Sequence, residues 1–85
     1  MPNSAQIRRA CDEVCELLQK KNVAYGDAVS NPIRVFSDLE PEASIRSRID
    51  DKLSRIRNIG LGDDMEDTLL DLIGYLILLK IEHDR

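Results

Sequence analysis

The segment 63–82, DDMEDTLLDLIGYLILLKIE, constrains this chain more than any other. On a helix at about 100° per residue, Leu69, Leu70, Leu72, Ile73, Leu76, Ile77 and Ile81 spread over far more than one face. Asp64, Asp67 and Asp71 share the remaining stripe with Gly74, Tyr75 and Leu78. A helix with so little polar surface is expected to be buried on several sides. Carboxylates held on it need a partner: a metal, a basic side chain or a ligand group. The helix macrodipole accounts for Asp63, Asp64 and Glu66 at the N-terminus. It does not account for Asp71, two turns further in, so Asp67 and Asp71 become the candidate functional acids. Asp63, Asp67 and Asp71 also stand at i, i+4, i+8, and converging oxygens of this kind suit a hard cation such as Mg²⁺.

The rest of the chain reads as helix too. Ser4 is the expected N-cap of a first helix reaching about Lys20, with Ile7, Cys11, Val14 and Leu18 as its core stripe. Gly26 ends or bends the chain after it. Asn31-Pro32 reads as a cap with proline at the first helical position, opening a short helical insert through Phe36. Glu40-Pro41 starts another helix, to about Asn58, with Ile45, Ile49, Leu53 and Ile56 on its core face. Gly60 and Gly62 break it, and Asp63 or Asp64 caps the last helix. No strand-type alternation occurs. The expected fold is all-α: three main helices plus a short helical insert, in a single helical domain over residues 1–85.

With 85 residues the chain buries only about 60–65% of its unfolded surface, so a homo-oligomer completing the core is expected. The net charge of −4 argues against a nucleic-acid polymer as partner. One Phe, two Tyr and no Trp argue against a base-stacking platform. Cys11 and Cys15 are read as two small buried apolar residues, because a disulfide within one helical turn is awkward and a zinc site lacks further ligands. No signal peptide is visible, and the apolar run Leu69–Leu79 is too short to span a bilayer. No membrane and a cytoplasmic location are expected.

Three further constellations carry candidate chemistry. Lys20-Lys21-Asn22, with Tyr25, combines ammonium donors for phosphate, an amide for base or ribose, and a ring for stacking. Arg48, Lys52 and Arg55 recur at i, i+4, i+7 as a basic stripe. This stripe reads either as a solvated face paired with Asp51 or as the partner of the acidic helix that follows it. Glu13 and Glu16 are acids three residues apart that could meet a metal, although Glu16 lies nearly opposite the core stripe. No Ser/His/Asp or Cys/His nucleophile set and no phosphate-binding glycine loop can be built.

Taken in order, Lys20-Lys21-Asn22…Tyr25-Gly26-Asp27, then Arg48-Ile-Asp50-Asp51-Lys52-Leu-Ser-Arg55-Ile, then Glu66-Asp67-Thr-Leu-Leu-Asp71-Leu-Ile-Gly-Tyr75 resemble the nucleotide-modification-associated domain 1 family. That small phage and bacterial family is regarded as related to the all-α nucleoside-triphosphate pyrophosphohydrolases of the MazG and dimeric dUTPase type. Asn31-Pro-Ile-Arg-Val-Phe-Ser37 looks like a subgroup common in phages and prophages. The resemblance implies a helical fold that often oligomerises and a small-molecule nucleotide ligand held between helices. In the catalytic relatives two acidic pairs hold Mg²⁺, which activates water against the α–β phosphate linkage. Asp67 and Asp71 match the second acidic motif as metal ligands, and Glu13 and Glu16 stand loosely at the spacing of the first, as the catalytic candidates, one of them a further ligand or the base. Nucleotide contacts then fall to Lys20, Lys21, Asn22, Tyr25, Arg48, Lys52 and Arg55. Two functions compete: Mg²⁺-dependent pyrophosphate hydrolysis, and a non-catalytic anti-defence sponge that sequesters a cyclic or linear nucleotide signal. A third reading gives the acidic stripe to subunit contacts alone.

Overall fold

The structure, a computed structural model, describes residues 1–25 and 40–85. These form three helices and no strand: α1 (Ser4–Tyr25), α2 (Pro41–Ile59) and α3 (Thr68–His83). The all-α expectation holds, while the insert expected over Asn31–Phe36 lies outside the described residues.

Each boundary has a local cause. Asn3, not Ser4, caps α1: its Oδ1 accepts from Gln6 N–H, and Gln6 Oε1 accepts from Asn3 N–H, both at 2.9 Å. This is a reciprocal capping box that satisfies two orphan amides. The helix continues past Lys20 to Tyr25, so Lys20, Lys21 and Asn22 are helical. α2 opens on Pro41 at the first helical position and closes on Gly60, whose φ of 83° is available to glycine without a Cβ penalty.

The start of α3 differs most from expectation. The helix begins at Thr68, and its N-cap is Asp67, whose Oδ1 accepts from Leu70 N–H at 3.0 Å. Residues 60–67 form the connection, so Asp63, Asp64 and Glu66 do not share a helix face with Asp71. The reason is the turn chemistry at Asp63, whose side chain bonds back to Met65 N–H at 2.8 Å and holds the chain out of helical form.

α3 is the central element. It packs on α2 and on α1, and α1 and α2 do not pack on one another. Leu18 faces Gly74, and Lys21 faces Asp71, so α1 runs antiparallel to α3. α2 is also antiparallel, as a hairpin through the 60–67 connection. Gly74 is buried, and a Cβ there would stand 3.2 Å from Leu18 Cδ2, so its missing side chain sets how closely α1 approaches.

Among the described residues the buried hydrophobic core within one chain is small: Val14 and Ile45, beside buried Thr68. Several expected core positions are exposed. Ile7 and Cys11 of α1 and Leu53 of α2 face out, and both cysteines are exposed thiols. The cause for α1 is reach. Its C-terminal half lies along α3, while its first turns have no neighbour among the described residues to bury the stripe. α3 itself is buried on one side only, and that side carries Asp71, Gly74 and Tyr75.

Candidate functional site

The inward side of α3 carries a chain of alternating charges that links all three helices. Asp71 sits between two lysines, Lys52 of α2 at 3.3 Å and Lys21 of α1 at 3.7 Å. Lys52 Nζ also donates to Glu66 Oε1 at 2.8 Å. Arg55 Nε reaches the same Glu66 oxygen at 3.3 Å and donates to Asp63 Oδ2. Three cations and three carboxylates thus neutralise one another. Lys21 Nζ also lies 5.8 Å from the Tyr75 ring centroid, within cation–π range.

Helical spacing brings the network together. Lys52 and Arg55 are three apart, so both point at the 60–67 connection and the first turn of α3. Lys21 lies on the same side of α1 as Val14 and Leu18, whereas Lys20 is turned about 100° away. Lys52 and Asp71 are largely buried, with side chains 17% and 18% exposed, and the flanking groups are wetter. The pairing shifts the titrations consistently. The Lys52 ammonium beside Glu66 holds that carboxyl below its usual range. The Arg55 guanidinium and the Met65 amide do the same for Asp63. Glu66, and then Asp71, raise Lys52 against the opposing effect of burial.

The residues singled out by sequence therefore separate into two groups. Lys21, Lys52, Arg55 and Asp71 meet. Arg48 is exposed, with no ion pair among the described residues. Lys20 and Asn22 are exposed on α1, and Tyr25 closes that helix with its side chain outside the described set. Asp67 is an exposed cap. Glu13 and Glu16 are exposed, and Glu16 sits about 140° around α1 from Lys21. Glu16 and Lys20 instead share one face of α1 with Asp12, Cys15, Gln19 and Val23. Glu66 and Asp63, read from sequence as helix-start acids, are the network's unexpected members. Gly60 and Gly62, which keep residues 60–67 out of the helix, are the signal that could have shown it.

These residues do not fit a Mg²⁺ site within one chain. Magnesium demands near-octahedral oxygens at about 2.0–2.1 Å. Here both Asp71 oxygens face ammonium groups, Asp67 bonds to a helix amide, and the α1 acids point elsewhere. Among the described residues no group of three or more His, Cys, Asp or Glu could hold a metal ion.

No helix among the described residues is long and apolar enough to cross a membrane. No family model, curated protein or solved structure matches the chain.

Proposed function

We propose that this chain binds a phosphate-bearing nucleotide and holds it without cleaving it. One observation carries the reading: Lys21, Lys52 and Arg55, from two helices, line one charge network, and Lys21 at its exposed end also lies against the Tyr75 ring. Lys21 is the adjustable member. Its side chain is 41% exposed and its bond to Asp71 is the longest in the network, so a phosphate oxygen can take it as partner without dismantling the rest. Tyr75 beside it offers an aromatic surface to a base or ribose. Sequestration is preferred to hydrolysis because Asp71, the acid that would hold the metal, is engaged by two lysines.

The test is calorimetric titration with nucleoside triphosphates and cyclic dinucleotides, with and without Mg²⁺, followed by recovery of ligand from denatured protein. The reading expects metal-independent binding, ligand recovered intact, and at least tenfold weaker binding in Lys21→Gln. Release of pyrophosphate, or no binding by any nucleotide, refutes it.

The pairing also favours a second reading, in which the network serves only to join the helices. Binding unchanged in Lys21→Gln, or absent altogether, selects that reading.

A further inference from the structure

We propose that the outer face of α3 is the contact between two copies of this chain, packed antiparallel across a twofold axis. This face lies opposite Asp71, so the proposal is independent of the nucleotide reading.

Leu69, Ile73, Leu76 and Ile77 are between 38% and 48% exposed, although they belong to the most apolar helix of the protein. Together they present on the order of 300 Å² of surface, at the scale of the largest apolar patches on monomers. A standard interface buries about 800 Å² per partner, some 65% of it apolar at the core. The stripe supplies most of that apolar part. Among the described residues the buried hydrophobic side chains are Val14 and Ile45, so covering this stripe would add apolar burial to α3.

The spacing and charge of the stripe identify the occupant and its direction. Leu69, Ile73, Leu76 and Lys80 follow at intervals of four, three and four, the seam that lets one helix interdigitate with another. A face made this way is self-complementary, as a twofold contact requires. Parallel packing would align the two helix dipoles and leave each Lys80 with Asp84 of its own chain as its carboxylate. Antiparallel packing places Lys80 near the start of the partner's α3, where Asp67 supplies a carboxylate, and opposes the dipoles. Ile73 then faces the partner's Leu76, and Leu69 lies against the stem of the partner's Lys80.

Sedimentation of the full chain tests this, read with helix content by circular dichroism. The expected mass is twice 9.7 kDa. Leu76→Glu should halve it with helix retained, while Leu61→Glu, more exposed but in the 60–67 connection, should leave it unchanged. Cross-linking keeps the proposal open to refutation if Leu76→Glu unfolds. With Cys11 and Cys15 replaced by serine, a mixture of Leu69→Cys and Lys80→Cys chains should form a disulfide that neither forms alone. A wild-type chain sedimenting at 9.7 kDa overturns the proposal, since the stripe is then covered by residues 26–39, by another protein, or by nothing. An undiminished mass in Leu76→Glu, or self-linking of Leu69→Cys, also overturns it.

Discussion

Replacing Lys52 by methionine isolates what the central ammonium contributes. Methionine keeps an unbranched apolar stem of similar length, so packing changes little and the lost charge dominates. Fully exposed pairs are worth about 0.2–1 kcal/mol. Removing one partner of a fully buried pair costs about 3–5 kcal/mol. Lys52 and Asp71 lie between those limits, and each orphaned acid keeps a second cation: Asp71 keeps Lys21 at 3.7 Å and Glu66 keeps Arg55 at 3.3 Å. We expect a loss of about 2 kcal/mol, equivalent to a Tm lowered by about 8–16 °C. Urea and thermal denaturation followed by circular dichroism measure it, at one chain concentration so that any association is held constant. The internal control is Arg46→Met, which breaks the exposed pair with Glu42 one turn away and should cost less than about 0.5 kcal/mol. In a double-mutant cycle Lys52→Met and Asp71→Asn should be non-additive by about 1 kcal/mol. If Lys52→Met costs no more than Arg46→Met, the network does not hold the helices together and the reasoning fails.

Three other outcomes follow from the geometry. Stability should be flat from about pH 5 to pH 10 and fall on both sides. Glu66 and Asp63 have lowered values, so their contribution is present above the ordinary carboxylate range and lost as pH drops through the folded values. Lys52 is raised, so its contribution is complete below its ordinary value of 10.5 and lost as pH climbs through the folded one. A Tm that already falls between pH 7 and pH 5 would contradict this assignment, and Glu66→Gln should reduce the acid-side slope. Gly74→Leu should cost about 2 kcal/mol in urea denaturation by forcing Leu18, and with it the end of α1, off α3. Gly74→Ala should be milder, because the helix gains about 1 kcal/mol of propensity while the flexible Leu18 tip yields. Asp67→Ala should cost about 1 kcal/mol as a lost cap, and Asp67→Asn should restore it with nucleotide binding unchanged. A metal ligand would instead lose binding in both variants.

The helices were legible in the sequence because their signals are local. Glu40-Pro41 and Gly60 bound α2 where they were expected to, since proline and glycine act through their own backbone geometry. The core stripe of α1 was legible only as a pattern. Val14 is buried, whereas Ile7 and Cys11 on the same stripe are exposed, a difference that periodicity does not carry. The acidic stripe was misread in one specific respect: period alone carries the helix back through Asp64, and the Asp63 turn interrupts it.

By itself, then, the sequence determined three amphipathic or apolar helices, their turns, and a charge pattern in which Asp71 needed a partner. Periodicity, caps and breakers act within a few residues, so one chain read in order contains them. Tertiary structure decided which partner Asp71 takes. The antiparallel placement of α1 and α2 on α3 puts Lys21 and Lys52 on opposite sides of one carboxylate. It also decided which side of an apolar helix turns inward. The charged side packs against α1 and α2, because the lysines neutralise it there, and Leu69, Ile73, Leu76, Ile77 and Ile81 are left on the outside. No spacing rule anticipates that inversion, since it depends on charges brought together from helices separated by up to fifty residues.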